Sequence, residues 1–160
     1  MEKVYIETSI VSYLTARASN NLIAVARQKE TVDWWELKKD LFALYISEVV
    51  LEEAGRGDTH AASRRLSVLG GIEILPVNKK VTVLSKALIK DGAIPEKALD
   101  DALHVAIASI HSVDYLLTWN CRHINNAAMK SKIRNVINSH GFCCPEFATP
   151  SELMEILEND

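Results

Sequence analysis

Apolar and polar positions along this chain follow two periods in turn. Short runs of β-branched, aromatic and aliphatic residues, at Val4-Tyr5-Ile6, 42–46, 72–75 and Tyr115-Leu116-Leu117, are the length of strands. Such runs bounded by polar or turn residues predict buried strands. Between them apolar residues recur at helical spacing. Ile10, Val11, Tyr13 and Leu14 predict a first helix, with Thr8 or Ser9 as its cap. After the turn signal Ala18-Ser19-Asn20-Asn21, residues 22–39 predict a long helix with Leu22, Val25, Ala26, Val32 and Trp35 on one buried stripe. Ser47 is a plausible cap for a helix carrying Val49, Val50, Glu53 and Ala54 and ending near Gly55 or Gly57. Further helices are predicted at 60–69, stopped by Gly70-Gly71, and at 79–90, 98–111 and 129–139, with a terminal one from Pro150-Ser151-Glu152. Residues 119–126 read as a loop with a short helical turn, and 142–147 as a fifth short strand. Strands alternating with helices predict an α/β fold: one three-layer domain over 1–160 around a parallel sheet of four or five strands.

Composition narrows the setting. Eighteen basic residues against twenty-one acidic ones give a net charge of −3, so nucleic acid binding requires a local basic patch. Arg122, Lys130, Lys132 and Arg134 are the candidates, either as that patch or as a solvated helix face. Three cysteines, two of them adjacent, have neither disulfide-framework nor metal-type spacing, which points to a reducing compartment. Met1-Glu2-Lys3 leads directly into a strand, and no apolar run reaches membrane-span length. The expectation is a cytoplasmic protein with no membrane association.

Candidate chemistry gathers at one edge. In a parallel sheet with crossover helices, strand carboxyl ends and helix amino ends share an edge, where ligands bind. Glu7 follows strand one, Glu52 and Glu53 lie in the turns after strand two, Asp100 and Asp101 open the helix leading to strand four, and Asn120 follows that strand. Carboxylates crowded together raise one another's pKa, and a divalent cation removes that cost. Oxygen donors with few cysteines or histidines select Mg²⁺ or Mn²⁺, ions that activate water and stabilise charge in phosphodiester cleavage. Glu53 lies on the inner side of its helix, three and four residues past Val50 and Val49, and is preferred to Glu52. His104, one turn after Asp101, either faces the cleft or packs as a hydrogen-bonded core histidine. Thr118 either supports a ligand carboxylate or ends its strand; Thr8 and Ser9 divide between capping and orienting Glu7. Trp119 and His123 either stack on unpaired bases or, for Trp119, close the core.

Four stretches together carry a resemblance: Tyr5-Ile6-Glu7-Thr8-Ser9, Ile46-Ser47-Glu48-Val49-Val50-Leu51-Glu52-Glu53, Asp101-Ala102-Leu103-His104-Val105-Ala106 and Leu116-Leu117-Thr118-Trp119-Asn120. In order and spacing the chain resembles PIN-domain ribonucleases of the VapC toxin type. The resemblance implies strand order 3-2-1-4-5 and a Mg²⁺- or Mn²⁺-dependent endoribonuclease. It implies a catalytic set of Glu7, Glu53, Asp101 and Asn120, the first three holding metal. Thr8, Ser9, His104, Thr118 and Arg122 are supporting or substrate-contacting candidates. It also implies an RNA substrate, a small antitoxin protein as partner and, commonly, a homodimer; the helices around Trp34 and Trp35 either supply surface for such a contact or are ordinary core. Two departures stand out. Glu7 replaces the family's first Asp and sets its oxygens further out by about one C–C bond. Asn120 replaces a fourth acid and lacks its charge. They motivate an alternative, a weakened PIN domain that binds RNA or protein without cutting. A third class, another Mg²⁺-dependent phosphohydrolase, meets the objection that no Asp-x-Asp pair follows strand one.

Overall fold

A computed structural model describes residues 1–158; the last two residues of the expected 1–160 domain lie outside the described residues. In chain order the elements are β1 (Lys3–Ile6), α1 (Thr8–Thr15), α2 (Leu22–Leu37), β2 (Ala43–Ser47), α3 (Glu48–Ala54), α4 (Thr59–Leu69), β3 (Glu73–Leu75), α5 (Lys79–Lys90), α6 (Leu99–Ile110), β4 (Tyr115–Leu117), α7 (Lys130–Ser139), β5 (Glu146–Ala148) and α8 (Pro150–Glu158). The five strands form one sheet in the order β3-β2-β1-β4-β5, and every neighbouring pair is parallel. Order 3-2-1-4-5 and the helix-flanked parallel sheet are as expected.

β1 lies at the centre of the sheet because every residue after Lys3 tolerates complete burial. Val4, Tyr5 and Ile6 are all fully buried, Tyr5 between Tyr45 of β2 and Leu116 of β4. The chain goes to one side of β1 for β2 and β3 and to the other for β4 and β5. That reversal is a topological switch point, and at such points open parallel sheets bind ligands in a crevice at the carboxyl ends of the strands. α6 fills the space behind it with small and branched residues; Ala102, Val105, Ala106, Ile107 and Ala108 are all fully buried.

Several local expectations are corrected. α1 is capped by Glu7, whose side chain accepts the Ser9 N–H, and by neither Thr8 nor Ser9. Ser47 occupies the cap position of α3 but gives that helix no side-chain bond. The predicted stripe of α2 faces inward only in part: Leu22, Val25 and Ala26 are exposed and Val32 and Trp35 half-buried, while Thr31 and Trp34 are buried. Apolar residues occur on all sides of this helix, so spacing singles out no face. The helix expected over 98–111 begins at Leu99, preceded by a 3₁₀ turn over Glu96–Ala98. The fifth strand forms only at Glu146–Ala148, beyond Pro145, which cannot donate to a ladder. Among the described residues no helix is long and apolar enough to cross a membrane.

Candidate metal centre

Glu7 is the residue at which β1 becomes α1. Its backbone is still extended (φ −79°, ψ 155°), and its N–H completes the ladder to Leu117 O at 3.1 Å. Its side chain folds back over the helix start. One oxygen accepts the Ser9 N–H at 3.0 Å, and the other accepts the hydroxyls of Ser9 and Thr118. The carboxylate is 4% exposed. Among the described residues no lysine or arginine forms an ion pair with it. The amino end of α1 supplies part of the balancing positive field.

Glu53 reaches the same place from α3. Val49, Val50 and Ala54 bury the inner face of this helix, which turns Glu53 toward the crevice and leaves Glu52 exposed. Glu53 Oε1 accepts the Thr8 hydroxyl at 2.7 Å and meets His104 Nε2. His104, on α6, is fully buried, and its Nδ1 lies 2.7 Å from the Tyr5 hydroxyl. That hydroxyl is in turn 2.7 Å from Ser47 Oγ. Ligand atoms of Glu7, Glu53 and His104 all lie within 4.8 Å of one another.

Charge and burial oppose each other here. Burial pushes the Glu53 carboxyl up, but the bond and charge of His104, with Thr8 and Arg56, outweigh it and hold the carboxyl below its ordinary value. Burial pulls His104 down, yet its bond to Glu53 and the charges of Glu7, Glu53 and Asp101 leave it raised. Burial, partly opposed by the Ser47 bond, pushes the Tyr5 hydroxyl well up, so it keeps its proton.

Asp101 lies one turn before His104 on α6 and acts on it through charge, but it is outside the tight trio. Its Oδ2 bonds His123 Nδ1 at 2.9 Å. Asn120 folds locally instead of reaching in: its Oδ1 accepts the His123 N–H at 3.0 Å, and its own N–H goes to Thr118 Oγ1 at 2.8 Å. A cleft beside Asp101 is lined by Lys97, Leu99, Asp100, Arg122 and His123. Trp119 closes the core: it is buried, donates Nε1–H to Thr31 at 2.8 Å, and meets Tyr13 edge-on. Trp34 is core as well, stacked on Phe42. Arg134 pairs with Glu146 at 3.5 Å.

The residues fit a hard divalent cation. A buried carboxylate with no lysine or arginine partner among the described residues, a second beside it and a third one helical turn from His104 give oxygen donors at an edge already supplied with orienting hydroxyls. Of the residues expected from the sequence, Glu7, Ser9 and Thr118 form one hydrogen-bonded group and Thr8, Glu53 and His104 another, and the two meet where ligand atoms of Glu7, Glu53 and His104 lie within 4.8 Å of one another; Asp101 and Asn120 border the first through His123 and Thr118. Sequence reading missed the parts of Tyr5 and Ser47. The signal that was available is a hydroxyl in the middle of a strand with no polar face.

Comparison with known proteins places this geometry in context. The family profile described as PIN domain matches residues 4–127. No curated protein matches the chain. VapC20 of Mycobacterium tuberculosis, a sarcin–ricin-loop-cleaving toxin, superposes with a TM-score of 0.59 at 15% identity, over 87% of this chain and 95% of that one. VapBC2 of Rickettsia felis, solved bound to a DNA fragment from its promoter, gives 0.59 at 16% identity, over 92% and 98%. VapBC-1 of nontypeable Haemophilus influenzae gives 0.55 at 14%, over 93% and 98%. At these identities the likeness is one of fold.

Proposed function

The chain belongs to the PIN-domain family, and from that premise we propose that it is a Mg²⁺- or Mn²⁺-dependent endoribonuclease, the toxin of a toxin–antitoxin pair in the cytoplasm. The observation that carries this reading is the meeting of Glu7 and Glu53, from opposite ends of separate elements, with His104 within 4.8 Å and Asp101 one turn away. Glu7, Glu53 and Asp101 would hold the ion. When bound, it supplies an activated water and neutralises charge that builds up on the phosphodiester. The chain's own residues prepare that event. Ser9 and Thr118 fix the Glu7 carboxylate, Thr8 and His104 fix Glu53, and His123 fixes Asp101. Arg122 and Lys97, at the cleft beside Asp101, offer cations to an RNA phosphate. Asn120 acts as a loop brace that shapes this cleft.

A small antitoxin is the partner this reading calls for, and two of the structural neighbours are VapBC assemblies. A homodimer belongs to the same reading. The exposed Leu22, Ile23 and Val25 on α2 supply apolar surface for one of these contacts. The alternative of a binding module without cleavage draws its support from Asn120, whose oxygen is committed to His123.

The test is cleavage of single-stranded RNA with added Mn²⁺, comparing wild type with Asp101→Asn. The wild type is expected to cut internally and Asp101→Asn to be slowed by about 10²-fold or more, the range seen when a group stabilising the transition state is lost. Equal inertness of both proteins, with both still binding RNA, contradicts the enzyme reading.

A further inference from the structure

We infer that Tyr5 and His104 are positioning residues: a buried hydrogen-bond chain, Ser47–Tyr5–His104, aims the Glu53 carboxylate at the metal. The inference rests on the metal-nuclease reading above.

Glu53 Oε1 is a carboxylate oxygen and only accepts, so His104 Nε2 carries the hydrogen and donates it. His104 Nδ1 and the Tyr5 hydroxyl are bonded at 2.7 Å in either state of the ring: the hydroxyl donates to the neutral imidazole and accepts from the protonated one. The Tyr5 hydroxyl in turn shares a hydrogen bond with Ser47 Oγ at 2.7 Å. Each group thus holds the orientation of the next, ending at one oxygen of Glu53. Thr8 donates to the same oxygen from the α1 side. The carboxylate is held from two directions on elements that do not otherwise share a turn.

Packing alone does not explain these residue types. Tyr5 and His104 are both fully buried. Phenylalanine would fill the Tyr5 position with no hydroxyl to satisfy. An aliphatic residue would suit the His104 position, since the other buried residues of α6 include Ala102, Val105, Ala106, Ile107 and Ala108. Ser47 occupies the cap position of α3 yet leaves that helix uncapped and bonds Tyr5. Three polar side chains from β1, the end of β2 and α6 therefore forgo cheaper arrangements and converge on one carboxylate at the rim. Tilted contact between the Tyr5 and His104 rings, 5.7 Å between centroids, leaves neither ring free to swing away.

The experiment is Mn²⁺ titration by calorimetry, without RNA, of wild type, Tyr5→Phe, His104→Leu and His104→Gln, with far-ultraviolet circular dichroism on each. Removing a partner that orients a metal ligand costs about 10–100-fold in metal affinity. Tyr5→Phe, nearly isosteric, is expected to stay folded and to weaken Mn²⁺ by about 10-fold. His104→Leu is expected to weaken it at least as much. His104→Gln restores an N–H toward Glu53 and is expected to recover most of the affinity. Pulsed paramagnetic resonance of bound Mn²⁺ is expected to show no histidine nitrogen coupling. Unchanged affinity in Tyr5→Phe, or His104→Gln as weak as His104→Leu, overturns the inference. So does a nitrogen coupling that vanishes in His104→Gln, which would make His104 a ligand. A wild type that binds no Mn²⁺ sinks the metal reading and this inference with it; tight wild-type binding with unaffected variants sinks this inference alone.

Discussion

Glu7 stands one methylene further from its backbone than an aspartate would, and its surroundings are built to that length. Ser9 and Thr118 hold its oxygens where the longer arm delivers them. Glu7→Asp withdraws the carboxylate by about 1.5 Å, which takes it out of hydrogen-bond range of Thr118. The family's own residue is therefore expected to perform worse here: Mn²⁺-dependent RNA cleavage falls by about 10-fold or more, read as initial rates at saturating Mn²⁺. A rate equal to or above wild type contradicts this fit. The cysteines give a pH-dependent prediction. Cys121 and Cys143 are exposed. Burial pushes the Cys144 thiol up to about 11, with Arg134 drawing it down and Glu146 pushing it up. The thiolate is the reactive form, and Cys144 reaches it only as pH climbs toward that value. Alkylation at pH 8 followed by mass spectrometry is expected to show two thiols labelled quickly and Cys144 late, the lag shrinking as pH rises to 10. Simultaneous labelling at pH 8 contradicts it. At this scale the acids were legible because Glu7, Glu53 and Asp101 follow strand ends or sit on helix inner faces. The Asp101–His123 contact and the Tyr5–Ser47 contact were not, because they join residues far apart whose side-chain directions no periodicity encodes.

Among elements, the strands were the easiest to read, since short β-branched runs between turn signals have few other destinations. The ends of the first four shifted by at most a residue where neighbours decide pairing, β2 including Ser47 because Ser47 faces Leu75 of β3, whereas β5 starts four residues later than expected. Helix α2 was the hardest. Leu22, Ile23 and Val25 are exposed while Thr31 is fully buried beneath Trp119, so a hydroxyl with a tertiary partner displaced aliphatic residues from the buried face. The helix is started by Asn21, whose Oδ1 accepts the N–H groups of Ile23 and Ala24 at 3.0 and 3.1 Å. Asn21→Ala removes both bonds and is expected to cost about 1 kcal/mol. For a chain of this size that lowers the melting temperature by about 3 °C, read by calorimetry, with RNA cleavage unchanged. No shift in melting temperature would mean that α2 is held by its packing alone.

For the whole molecule, the sheet order explains why these particular residues meet. β1 and β4 are neighbours at the switch point, so Glu7 and Thr118, each following its strand, come within bonding distance although far apart in sequence. β2 delivers α3 with Glu53 on the other flank of β1, and α6 closes the crevice from behind with His104. An ion seated there binds only the folded chain. Mn²⁺ at 100 times its dissociation constant is therefore expected to stabilise the fold by about 2.7 kcal/mol, seen as a rise in melting temperature that EDTA reverses. Glu53→Gln is expected to lose most of that rise, and a full rise in this variant contradicts the site. The central claim, that acids distant in sequence meet at one sheet edge to hold an ion for RNA cleavage, is tested most directly by single-stranded RNA cleavage in Mn²⁺ and in EDTA, for wild type and Glu53→Gln. The account predicts internal cuts by the wild type in Mn²⁺ that cease in EDTA and nearly cease in the variant. Cleavage that persists in EDTA, or that Glu53→Gln performs as fast as wild type, would contradict it.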